Sequence, residues 1–143
     1  MFQCILLPVD GSEQGYRAVD IGIELASRLQ ARVVAVHVLP PLSAVSYVSE
    51  LIQSQGSYTQ PACERAKAFL NEVSARAKAA NVPCETEYVS DLRPYAGIVG
   101  LAAKHQCDLI VMGSRGHQGL ERLLLGSQTH KVMLSTDVPV LVC

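Results

Sequence analysis

At 143 residues, with 49% hydrophobic and 17% charged side chains and no low-complexity tract, the chain is sized for one globular core that needs no disulfide or metal to hold it. Twelve basic residues offset thirteen acidic ones, a formal charge of -1, and no Lys/Arg cluster forms a stripe, so neither nucleic acid nor an anionic membrane finds an electrostatic footprint. No apolar run is long enough to cross a bilayer and no basic segment with a cleavage site precedes the first strand, so the expectation is one cytoplasmic domain over residues 1–143.

Gln3 to Val9 is a continuous apolar run that stops at Asp10-Gly11-Ser12, the pattern of a strand buried on both faces. Ala18, Gly22, Leu25, Ala26 and Leu29 then recur at three- and four-residue spacing, which predicts a helix starting near Ser12. Asp10 and Glu13 have capping-box spacing, so the Asp10 carboxylate is also a candidate cap for that helix. Ala31 to Leu39 reads as a second buried strand. Pro40 to Pro61 has mixed polarity and no clean period, the signature of a long loop, and connections of that length more often carry function than not.

Ala62, Ala66, Phe69, Leu70, Val73 and Ala77 form the apolar face of a second helix ending near Asn81. From Cys84 to Ser90, Glu85 and Glu87 alternate with less polar neighbours, which predicts a strand near a sheet edge. Pro94 suits the first turn of a third helix, because it has no amide hydrogen to leave unpaired, and Ile98, Leu101, Ala102 and His105 supply its stripe. Cys107 to Met112 is a fourth strand, Ser127 starts a last helix through about Ser135, and Val138 to Cys143 closes as a strand. The five cysteines, Cys4, Cys63, Cys84, Cys107 and Cys143, are scattered singly in or beside apolar segments with no C-x-x-C pair. They read as buried thiols in a reducing compartment, with a metal site or redox pair as the weaker alternative on spacing alone.

Five strands alternating with four helices specify a parallel α/β sheet with helices on both faces, since each crossover is right-handed and lays an apolar helix face on the sheet. Ligands of such sheets settle beyond the carboxyl ends of the strands, where strand order reverses. Two turns of chemical interest follow strands: Asp10 to Ser12, and Gly113-Ser114-Arg115-Gly116. The second continues through nine residues to Gly126-Ser127-Gln128-Thr129.

Gly113 and Gly116 have no Cβ to block an oxygen approaching their amides, and Gly126-Ser127 offers further amides at a helix start, where the dipole favours an anion. Charge-assisted hydrogen bonds contribute about 1.5 to 3 kcal/mol each, so four exceed only the low end of the roughly 4 to 15 kcal/mol that association costs. A base must be buried too, and the apolar strand ends Pro8-Val9 and His37-Val38 are the place for it. The structural alternative is that Gly113 and Gly116 shape a tight turn and Ser127 is an N-cap worth about 1 kcal/mol. Arg115, inside the loop, is the best side-chain candidate for phosphate, ahead of His117, Arg122, His130 and Lys131.

The spacing Gly113-x-x-Gly116, nine residues, Gly126-Ser127, with Pro8-Val9-Asp10-Gly11-Ser12 and His37-Val38 upstream, resembles the ATP-binding branch of the universal stress protein family along essentially the whole chain. The resemblance implies a five-stranded, doubly wound, Rossmann-like sheet of the adenine nucleotide alpha hydrolase type, in order 3-2-1-4-5, which sets the first and fourth strands side by side. It also implies that Asp10 bonds the nucleotide near its ribose, within the turn Pro8, Val9, Asp10 and Ser12. The Val38 backbone would meet the adenine edge. Gly113, Gly116, Gly126 and Ser127 would line the phosphates, with the amides of Gln128 and Thr129, and Met112 and Arg115 are counted with them as nucleotide-binding candidates. Gln128 and His130 stand where that pattern has a small or β-branched residue and an acidic one.

There is no P-loop lysine and no G-x-G-x-x-G, and only Asp10 and Asp91 lie at strand ends where a transfer enzyme places its acidic groups. The leading expectation is therefore a regulatory stress-response protein that binds ATP, or ADP or AMP, with slow or no hydrolysis. One alternative is a slow ATPase or autophosphorylating protein, with Mg²⁺ held through the phosphates and Ser114, Ser127 or Thr129 as acceptor. The other is a nucleotide-free dimerisation module. Val138 to Cys143 is an apolar edge that invites pairing, and the family pairs this strand across a two-fold axis, which implies a homodimer.

Overall fold

A computed structural model describes residues 1–39, 60–114 and 125–143. In chain order its elements are β1 (Cys4–Pro8), α1 (Glu13–Leu29), β2 (Arg32–Leu39), α2 (Gln60–Ala79), β3 (Cys84–Ser90), α3 (Pro94–Lys104), β4 (Leu109–Met112), α4 (Ser127–Ser135) and β5 (Val140–Val142). All registered pairs are parallel and the sheet order is β3-β2-β1-β4-β5, as the family resemblance implies.

The continuous apolar runs become the central strands because both of their faces are covered. Ile5, Leu7, Val33 and Ala35 point to the side where α1 and α2 bring Val19, Ile23, Leu70 and Val73. Leu6, Val34, Val36 and Ile110 point to the other side, against Ile98 and Leu101 of α3 and Val132 of α4. At roughly 1.5–3 kcal/mol for each large apolar side chain taken from water, these two layers supply the main driving force.

Several elements differ in extent from the sequence pattern. The buried face of α1 is Gly15, Ala18, Val19, Gly22, Ile23 and Ala26, so it includes Val19 and Ile23, while Leu25 and Leu29 are half-buried at its margin. The predicted loop Pro40 to Pro61 ends earlier, since Gln60 and Pro61 form the start of α2; its segment 40–59 lies outside the described residues. β4 starts at Leu109 rather than Cys107 because the Asp108 carboxylate, not a backbone carbonyl, accepts from the amides of Gln3 and Cys4. β5 is shorter than Val138 to Cys143, since the Val138 amide turns to Thr136 Oγ1 and Pro139 has no amide to give. His105 is not on the core stripe but caps the C-terminus of α3, its ring beside Glu85 and Glu87 of β3.

Candidate functional site

The turn between β1 and α1 is held by a short relay of hydrogen bonds. Asp10 Oδ1 accepts from the Ser12 amide at 2.9 Å and from the Ser12 hydroxyl at 2.6 Å, and Ser12 Oγ in turn accepts from the Gly15 amide at 3.0 Å. Ser12, not Asp10, is thus the N-cap of α1, which corrects the capping-box reading. Gly11, at φ +83°, reverses the chain between them, with the Phe69 ring where a side chain would stand. Gly15 lets the Asp10 carboxylate fold onto the helix start, because a Cβ there would lie 2.8 Å from Oδ1. The result is a half-buried carboxylate fixed through one of its oxygens at the carboxyl end of β1.

The end of β2 is pinned to the same turn. His37 Nδ1 lies 2.6 Å from the Val9 carbonyl, which can only accept, so that nitrogen carries the proton. The imidazole meets Phe69 edge to face, with centroids 5.3 Å apart, and the Val9 amide donates to Val36 O at 2.8 Å. Val38, in register with Val89 of β3, packs onto α3 at Gly97, where a Cβ would come within 2.8 Å of Val38 Cγ2. Sequence reasoning missed the parts played by Gly15, Phe69 and Gly97. For Gly15 and Gly97 the available signal was a glycine inside α1 and inside α3, where glycine costs about 1 kcal/mol unless a close approach requires it; Phe69 read only as part of an apolar helix face.

Beyond β4, two bonds tie the strand end to Cys143 after β5 and two tie it to the start of α4. The Ser114 amide donates to Cys143 O at 2.6 Å, the Gly126 amide to Ser114 O at 2.6 Å, the Thr129 hydroxyl to Gly113 O at 2.8 Å, and the Cys143 amide to Met112 O at 3.0 Å. The N-cap of α4 is Gly126, without any side-chain cap, and this replaces the reading of Ser127 as an N-cap. The helix ladder begins with His130 N to Gly126 O, so the amides of Ser127, Gln128 and Thr129 precede it as the donors of a helix start that have no partner within the helix among the described residues. Thr129 is 3% exposed and its hydroxyl donates to the Gly113 carbonyl.

Gln128 serves the packing of the two helices. Its Oε1 accepts from the Tyr95 amide at 3.0 Å, so α4 caps the start of α3. Over the Tyr95 ring stand two cations, the Arg93 guanidinium at 6.0 Å and Lys131 Nζ at 5.7 Å. The Asp91 carboxylate accepts from the Arg93 amide at 2.9 Å. Among the described residues no group of three His, Cys, Asp or Glu side chains is placed to hold a metal ion.

Of the residues singled out from sequence, the structure places Pro8, Val9, Asp10 and Ser12 at the end of β1, Val38 at the end of β2, and Met112 and Gly113 at the end of β4. Because β1 lies between β2 and β4, all three ends share one rim of the sheet, and the bonds from Gly126 to Ser114 and from Thr129 to Gly113 bring the start of α4, with Ser127 and Gln128, to the same rim. Arg115 and Gly116, like His117 and Arg122, lie outside the described residues.

The sequence profile of the universal stress protein family matches residues 1–143. A universal stress protein of Methanocaldococcus jannaschii is 33% identical over 150 residues, covering 99% of this chain and 82% of that protein. The fold is similar to the solved structure of the protein MJ0577, with a TM-score of 0.79 at 25% identity over 99% of this chain and 95% of that one. It is also similar to a universal stress protein solved in complex with cAMP, with a TM-score of 0.72 at 28% identity over 99% and 97% of the two chains. The profile match over the whole sequence, on a sheet of order 3-2-1-4-5, means that the chain belongs to the universal stress protein family.

Proposed function

We propose that this chain is a single cytoplasmic domain that binds an adenine nucleotide across the carboxyl ends of β2, β1 and β4, and that the bound nucleotide regulates its self-association. The observation that carries this reading is the start of α4. Three backbone amides there lack helical partners, the N-cap has no side chain to occupy them, and the Thr129 to Gly113 bond holds them beside the strand whose neighbour carries Asp10. An anion suits that position and a carboxylate one strand away suits the hydroxyls of a ribose. Arg93 and Lys131 add positive charge along the starts of α3 and α4. The cAMP complex of a relative 28% identical supports an adenine nucleotide as the ligand class.

ATP is the proposed ligand, with ADP and AMP as shorter competitors and Mg²⁺ carried by the phosphates. Binding with slow or no turnover is favoured because both strand-end carboxylates already serve local turns, Asp10 through Ser12 and Asp91 through the Arg93 amide. The homodimer is proposed to form along β5, a sheet edge on which Leu141 is 39% exposed. The test is to denature freshly purified protein, chromatograph the small molecules released, and titrate stripped protein with ATP, ADP, AMP and cAMP by calorimetry. A stoichiometric adenine nucleotide or saturable heat is expected. Neither release nor heat with any of the four would leave a dimerisation module as the better reading.

A further inference from the structure

We propose that Cys4 and Cys107 are a paired oxidation site, a buried dithiol that closes reversibly to a disulfide by exchange with a low-molecular-weight disulfide. Cys4 opens β1, and Cys107 stands two residues ahead of β4, the strand beside it. Both are free thiols, 3% and 5% exposed, on the sheet face covered by α3 and α4, and their sulfurs lie 3.0 Å apart. The β1 to β4 register, Ile5 with Leu109, sets Cys4 opposite Asp108 and so one residue out of step with Cys107. A disulfide is only about 1 Å shorter than the present sulfur separation, near 2.05 Å, and its usual Cα span of about 4.4 to 6.8 Å includes the roughly 5.8 Å between residues offset by one position on paired strands.

The backbone beside the pair is already fixed. The Asp108 amide donates to Cys4 O at 2.9 Å, and the Asp108 carboxylate accepts from the Cys4 amide at 3.0 Å. Closure therefore asks for side-chain rotation rather than strand movement. Its place in the sheet gives it an effect, because the β1 to β4 ladder is the shortest in the sheet, Ile5 with Leu109 and Leu6 with Ile110. A covalent bond at the foot of that seam would join the two strands whose far ends carry Asp10 and Gly113.

In the exchange, the thiolate of one cysteine attacks a sulfur of the oxidant, whose S–S bond breaks to release one thiolate. The second cysteine gives up its proton, attacks the protein sulfur and expels the other thiol. Two protein thiols lose two electrons and one small disulfide becomes two thiols. Burial, reinforced by the neighbouring Cys4, pushes the Cys107 thiol up, so exchange proceeds through transient opening of the seam.

The test equilibrates the protein in a series of reduced and oxidised glutathione buffers, traps free thiols by alkylation and maps disulfides by mass spectrometry. Native protein and urea-unfolded chain are compared side by side. The folded protein is expected to yield the Cys4 to Cys107 bridge at a glutathione ratio about tenfold more reducing than the unfolded chain requires. The bridged form should resist urea better than the reduced form and lose that gain in dithiothreitol. Cys107→Ala should remove the effect. A folded pair that oxidises no more readily than the unfolded chain, or that bridges to other cysteines, overturns the proposal and leaves two thiols packed as small hydrophobes. The readout is an equilibrium, so slow access to buried sulfurs does not mask the answer.

Discussion

Asp10 and Ser12 work as one unit, because the hydroxyl that donates to the Asp10 carboxylate is the same oxygen that accepts from Gly15 and starts α1. Ser12→Ala removes the cap and should lower stability by about 1 kcal/mol, read from urea unfolding. It also frees the carboxylate to rotate, so nucleotide affinity should fall without any lost contact between Ser12 and ligand. Asp10→Ala should weaken binding roughly tenfold or more, given about 1.5 to 3 kcal/mol for a hydrogen bond to a charged group. In calorimetry the double variant should lose less than the sum of the two, the mark of residues acting through one another. Additive losses would separate Ser12 from the site. Asp-Gly-Ser after an apolar run was legible as a turn at a strand end, but the division of labour inside it was not. That division depends on Gly11 at φ +83°, which carries Asp10 off the helix axis and leaves Ser12 next to Glu13.

At the scale of elements, the α3 to α4 pair depends on a bond between residues 33 positions apart, Gln128 Oε1 to the Tyr95 amide. Arg93, the N-cap of α3, makes no side-chain cap bond, so Gln128 supplies it from the next helix. Gln128→Ala should cost about 1 kcal/mol in urea unfolding and speed hydrogen exchange at the Tyr95 amide, while Gln128→Glu, which keeps the acceptor, should restore both. No periodicity could announce this contact, because only the fold brings the two helix starts together. At the other end of α3, Lys104 and His105 both bond Glu87 on β3. The Lys104 ammonium first, and His105 after it, hold the Glu87 carboxyl below the usual glutamate range. A depressed folded-state value means that the stabilisation is complete above the unfolded value, about pH 4.3, and is lost as pH falls through the folded one. Urea midpoints measured from pH 6 to pH 2 should therefore drop more steeply for the wild type than for Glu87→Gln. Alternation along Cys84 to Ser90 announced an exposed strand; its partners, like Gln128, come from a later helix.

Across the whole molecule, strand and helix alternation made the parallel sheet legible, and buried runs such as Ile5, Leu6 and Leu7 made its centre so. The order 3-2-1-4-5 came only from the family resemblance, since periodicity says which face a residue takes and not which strand it neighbours. That order has a mechanical consequence. β5 is one of the two edge strands, and the Cys143 carbonyl just beyond it accepts from the amide of Ser114, a residue whose own carbonyl accepts from Gly126 at the start of α4. Edge and candidate phosphate loop are two hydrogen bonds apart, with Leu141, Met133 and Leu134 exposed nearby on β5 and α4. If a second copy pairs along β5, it straightens the same backbone that positions the α4 amides. Nucleotide and dimer should then strengthen each other, typically by about 5- to 150-fold for a coupling of this kind, and by the same factor in both directions. Sedimentation with and without saturating ATP measures one direction; calorimetry above and below the dimer dissociation constant measures the other. Leu141→Lys, a charge in the middle of the edge, should yield monomers that still bind nucleotide but at the weaker, uncoupled affinity. A dimer constant indifferent to ATP would show that the bond from Ser114 to Cys143 transmits nothing.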